Sequence, residues 1–150
     1  MNFLAILQNH VLLTALAAWL LAQILKIPID YFQTRKWNWG NFVAAGGMPS
    51  SHSALIVSTA HATGLYYGFD SPVFALAVAI AMIVVYDATG VRRQAGMQAE
   101  KINILVRELL KGHPVSQQQL REVLGHTPIE AVGGILLGLV VSQGLWFLWR

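Results

Sequence analysis

Cysteine is absent from the 150 residues, which excludes disulfides and thiolate metal sites. Charge is scarce too. Asp, Glu, Lys and Arg make up 11% of the chain, against roughly 25% in ordinary soluble domains. There is no Gly-x-Gly-x-x-Gly, no P-loop and no His-Glu-x-x-His. The usual signs of dinucleotide, nucleotide and zinc binding are therefore missing, and no cofactor or metal is expected. Internal repeats, low-complexity runs and flexible linkers are also lacking, so residues 1–150 read as a single domain.

What remains is apolar, at 55% of residues. Four stretches are candidate spans: Phe3–Leu25, Ser53–Phe69, Pro72–Ala88 and Ile129–Trp149. The first and last reach the about 20 residues that a bilayer core requires. The middle two are short and joined only by Gly68-Phe69-Asp70-Ser71-Pro72, which predicts a helical hairpin. The N-terminal stretch has no basic region before it and no small-residue cleavage pattern, so a retained span is expected rather than a cleaved signal. Val91, Ala95, Ala99, Ile102, Leu105, Val106 and Leu109 recur at helical spacing, predicting an amphipathic helix over 91–111. A short helix is expected after Ser116, stopping at Gly125. Thr127-Pro128-Ile129-Glu130 then opens the last span as N-cap, first-turn proline and capping-box acid. Residues 26–50 are expected to form a short interfacial or re-entrant helix plus a loop. The fold class is thus an all-α integral membrane bundle of about four spans, with an amphipathic helix and short interfacial helices.

The charges divide unequally. Lys26, Arg35 and Lys36 follow the first span, and Arg92, Arg93, Lys101, Arg107, Lys111 and Arg121 separate the third from the fourth. Only Arg150 of the ten basic residues lies on the other side. The positive-inside rule makes the crowded side cytoplasmic and leaves both termini outside. Cations that serve as phosphate ligands would weaken that inference.

The densest chemistry is in Gly46-Gly47-Met48-Pro49-Ser50-Ser51-His52-Ser53-Ala54. Glycines allow tight turns and close backbone approach. The helix start that follows offers free N–H groups and a positive dipole end to an anion. His52 adds a proton donor or acceptor near neutral pH. The plainer reading is a serine-capped helix with a solvated histidine. His126 and Glu130 begin the last span, while Arg92 and Arg93 end the third. Four spans thereby deliver titratable or cationic groups to one membrane face. Two histidines permit one nucleophile and one general acid. A Glu130 carboxylate bonded to one His126 nitrogen would leave the other free to attack, and the same carboxylate can cap the helix. His61 falls nine residues after His52, on the opposite helix face, and is expected to pack or bond between helices. His10 and His113 are left out of the site.

Three segments together resemble the divergent branch of the type-2 phosphatidic acid phosphatase superfamily, which includes acid phosphatases and vanadium haloperoxidases. They are Lys26…Asp30-Tyr31…Lys36-Trp37…Gly46 to Ala54, Tyr86 to Gly96, and Leu124-Gly125-His126-Thr127-Pro128-Ile129-Glu130. The resemblance covers nearly the whole chain. It implies metal-independent dephosphorylation of a membrane lipid phosphate through a phosphohistidine, with phosphatidate-, phosphatidylglycerol-phosphate- or polyprenyl-diphosphate-like substrates. Carried over residue by residue, His126 is the nucleophile, His52 the general acid and Glu130 the acid that orients His126. Ser50 is a phosphate ligand by the same match; the further candidates are Ser51, Arg121 with Arg92 and Arg93 as its rivals for the phosphate clamp, and Lys26, Arg35 or Lys36 for the first motif. The partners implied are the bilayer and its lipid phosphate, with no nucleic acid. Ser51 stands where the motif has glycine, Glu130 where it has aspartate, and Arg121 is one residue closer to His126 than the pattern asks. These departures motivate a second reading, a catalytically inactive anion- or lipid-binding membrane protein with the same fold.

Overall fold

A computed structural model describes residues 3–37, 39–43, 46–109 and 126–150. Five α-helices follow one another: α1 (His10–Thr34), α2 (Ser51–Tyr67), α3 (Pro72–Thr89), α4 (Val91–Leu109) and α5 (Pro128–Trp149). Short 3-10 segments cover Phe3–Gln8 and Trp39–Val43. No strand occurs among the described residues.

Local chemistry sets the helix starts. Asn9, Ser50, Ser71 and Thr127 each cap a helix by accepting a backbone N–H with the side chain. Pro72 and Pro128 occupy the first turns, where a missing N–H costs nothing. The capping box expected of Thr127 and Glu130 is formed. Gly68 closes α2 at φ +92°, a conformation a side chain would oppose, and starts the tight hairpin into α3.

The chain alternates direction. Lys26 near the end of α1 touches Ser51 at the start of α2. The hairpin makes α3 antiparallel to α2, and the His126 amide donates to Ala88 O at the end of α3. At the far end, His10 stacks on Tyr66 and meets Trp149. Helix α2 lies at the centre and packs on α1, α3 and α5.

Among the described residues, the buried apolar side chains are all alanines, including Ala18, Ala22 and Ala54. The large ones, such as Leu76, Met82, Ile83 and Val140, point outward. That distribution is what a bilayer selects, since lipid tails satisfy large apolar side chains and small residues let helices approach. Three helical stretches, containing α1, α3 and α5, are long and apolar enough to cross a membrane among the described residues. Helix α2 has only 17 residues.

Two expectations need correction. The first helix does not span Phe3–Leu25: it starts at His10 and runs to Thr34, through Lys26 and Pro28. Accordingly, residues 26–34 belong to α1 instead of an interfacial segment. Lys26 is buried against a neighbouring helix, so its charge does not end the apolar segment. The helix also tolerates Pro28, at the loss of one backbone hydrogen bond. The short helix expected after Ser116 lies outside the described residues.

Candidate active site

Two helix N-termini meet at one end of the bundle. The Ser50 amide, at the start of α2, donates to Glu130 O in the first turn of α5 at 2.9 Å. This approach requires glycine. A Cβ on Gly134 would collide with Ser50 O and come within 2.8 Å of Ser53 Cβ. One turn on, a Cβ on Gly138 would lie 2.8 Å from Ala54 O. A further turn places Ser142 Oγ 2.7 Å from His61 Nδ1, the interhelical bond expected of His61. The stripe Gly134, Gly138, Ser142 thus holds α5 against α2. Sequence reasoning passed over it, although its four-residue spacing is visible.

The contact brings His52 and His126 together. Their ring centroids are 5.9 Å apart. His126 precedes the Thr127 cap and is 3% exposed. Its Nδ1 lies 3.1 Å from Glu130 Oε2. The same oxygen accepts from the Thr127 amide at 3.1 Å. One carboxylate therefore both caps α5 and engages the imidazole. With Nδ1–H donating to Glu130, the lone pair is on Nε2. That Nε2 is buried and has no hydrogen-bond partner among the described residues.

The other expected site residues are distributed as follows. Ser50 is fully buried; its Oγ accepts from the Ser53 amide at 3.2 Å and from Ser53 Oγ at 3.1 Å. Ser51 is buried as well and accepts from Lys26 Nζ at 3.4 Å. Lys26, 2% exposed, also interacts electrostatically with Glu130. Arg35 and Lys36 are exposed just past the end of α1. Arg92 and Arg93 belong to the first turn of α4, a few residues after the Ala88 carbonyl that binds His126; their side chains fall outside the described set. Arg121 and His113 lie outside the described residues. The structure thus gathers His52, His126, Glu130, Ser50, Ser51 and Lys26, and leaves Arg35 and Lys36 at the periphery.

A cavity of about 400 Å³ with mixed polar and apolar walls opens beside Glu130. Lys26, Asp30, Gln33, Gly46, Gly47, Thr127 and Glu130 line it, together with Ile29, Met48 and Ile129. Its size is that of a small-ligand site. The lining includes neither His52 nor His126. Asp30 and Gln33 were not assigned a role from the sequence, although they recur on the Lys26 face of α1 at helical spacing.

Residues 7–141 match the Divergent PAP2 family. The chain belongs to that family. It is also similar to a Bacillus subtilis (strain 168) protein named "Uncharacterized membrane protein YuiD", at 41% identity over 148 residues, covering 91% of this chain and 94% of the relative. No solved structure matches the chain. Membership in the Divergent PAP2 family agrees with the resemblance carried by the His52 and His126 segments.

Proposed function

We propose that this Divergent PAP2 protein hydrolyses a membrane lipid phosphate through a phosphohistidine on His126. The observation that carries the reading is the state of the His126 ring: Nδ1 is engaged by Glu130, and Nε2, beside His52, is buried without a partner among the described residues. In the first step Nε2 attacks phosphorus. The bond from phosphorus to the lipid oxygen breaks, and His52 gives that oxygen a proton. In the second step His52 takes a proton from water, the resulting hydroxide attacks phosphorus, and the N–P bond breaks to release phosphate. Carboxylate support stabilises the imidazole as it gains positive charge. The adjacent starts of α2 and α5 offer their positive dipole ends to the phosphate oxygens.

The substrate class follows from the surroundings. The histidines stand at one end of a bundle whose outer face is apolar. A substrate whose tail stays in lipid can present its phosphate there. The excess of Lys and Arg in the flanking segments supports a cytoplasmic-facing site. Phosphate release from lipid phosphates by the purified protein, with and without EDTA, tests the reading. Turnover in wild type and none in His126→Ala is expected. The non-catalytic reading keeps one observation in its favour, the 3% exposure of His126. Lipid phosphate binding without release would establish it.

A further inference from the structure

The described polar groups of the cavity beside Glu130 suit a hydrogen-bond donor better than a phosphate. Among the described lining residues, Lys26 is the one cation, against the carboxylates of Asp30 and Glu130. Lys26 Nζ is also already directed at Ser51 Oγ, 3.4 Å away. Asp30 is half-buried and has no ion-pair partner among the described residues. Among the described residues, a phosphate placed here would face two carboxyl groups and a single lysine. A group that donates hydrogen bonds would meet acceptors, because an ionised carboxylate only accepts and the Gln33 amide adds a further carbonyl oxygen.

Position gives the cavity its meaning. Glu130 belongs to both compartments: Oε2 holds His126, and the side chain forms part of the cavity wall. A ligand in the cavity is therefore one side chain away from the histidine pair. Asp30 and Gln33 lie one and two turns beyond Lys26 on the same face of α1. At about 400 Å³ the space exceeds a three-carbon polyol several-fold, with water at roughly 30 Å³ per molecule as the yardstick.

We infer that this cavity is a headgroup subsite for a hydrogen-bond-donating group attached to the phosphate that His126 receives, with Asp30 and Gln33 as the residues that select it. The inference rests on the phosphate reading of the histidine pair and narrows its substrate class. Phosphorylated headgroups bearing hydroxyls or an ammonium are favoured over bare phosphomonoesters.

The test is a pair of soluble probes that share a phosphate and a carbon count. Affinities of the full chain in detergent for sn-glycerol 3-phosphate and n-propyl phosphate are compared by calorimetry. Phosphoethanolamine against ethyl phosphate separates an ammonium donor from a hydroxyl donor. A preference of about tenfold or more for a donor-bearing probe is expected, the usual scale of a hydrogen bond to a charged group. Asp30→Asn and, separately, Gln33→Leu should each bring that ratio toward one. Equal affinities in wild type, no binding of either probe, or an unchanged ratio in both variants overturns the subsite. Turnover is measured on the same preparations. Preference without turnover removes the phosphatase reading and keeps the subsite; turnover without preference does the opposite.

Discussion

Glu130 Oε2 stands 3.1 Å from His126 Nδ1, while the Glu130 backbone carbonyl accepts from Ser50 at 2.9 Å. The residue that engages one imidazole therefore also ties the start of α5, which His126 precedes, to the start of α2, which carries His52. Glu130→Gln separates these roles. The amide oxygen can still accept from Thr127 N, and the backbone bond to Ser50 is untouched. In the place of Oε2 the amide oxygen also accepts from His126 Nδ1, but it is neutral and no longer stabilises the positive charge that the imidazole gains as Nε2 attacks. Turnover should fall by about 10² to 10⁴ while thermal unfolding in detergent changes little. Wild-type turnover in this variant would leave Glu130 as a helix cap alone.

The glycine stripe makes a second prediction. Gly134→Ala puts a methyl group into Ser50 O and Ser53 Cβ, backbone and a short side chain that cannot rotate away. Overpacking of this kind costs about 1–3 kcal/mol. It also pushes α5 off α2, so the separation of His52 and His126 grows. Lower unfolding temperature and lower activity should appear together. Gly144→Ala is the control, since a Cβ there meets nothing within 4 Å. Its unfolding temperature should hold or rise, because alanine is the better helix former by about 0.5–1 kcal/mol. Equal losses in both variants would mean that the α2–α5 contact is not what positions the site.

The local signals proved dependable where the physics is local. Ser71 with Pro72, and Thr127 with Pro128 and Glu130, start helices where their capping chemistry directs. The pairing of His52 with His126 was also legible, because span order fixes which helix ends share a side. Lys26 misled for a physical reason. A charge in an apolar segment reads as its end, yet here Ser51 and Glu130 accommodate the ammonium inside the bundle. Periodicity on α1 gave no warning, since its buried face is made of small and polar residues such as Thr14, Ala18, Ala22 and Gln23. Asp30 stood in the first resembling segment without a role, and Gln33 had no motif to announce it. Their joint exposure to one cavity depends on the turn at Gly46 and Gly47, a tertiary contact that no window of sequence contains.

Sidedness gives a third prediction. The chain has no native cysteine, so single cysteines report cleanly. Asp70→Cys, in the α2–α3 hairpin, should react with an impermeant thiol reagent in intact cells. Lys101→Cys, exposed on α4, should react only after the membrane is opened. The reverse pattern would show that the basic residues cluster to hold phosphate and carry no topological meaning.

The last prediction separates the two histidines. If His126 forms the bond to phosphorus, its removal abolishes turnover for every substrate. His52 acts only on the leaving oxygen, so its importance depends on how much that oxygen needs a proton. An alkyl alcohol leaves poorly as an alkoxide, and His52→Ala should slow lipid phosphates by about 10² to 10⁴. An aryl phosphate with an electron-withdrawing ring leaves as a stable phenolate. The same variant should retain most of its activity there. The comparison is internal to one preparation, so partial misfolding would reduce both rates alike and leave their ratio unchanged. A ratio that moves toward the aryl substrate in His52→Ala assigns the general acid. Proportional loss on both substrates would give His52 a role in binding or packing instead, consistent with its place in the first turn of α2.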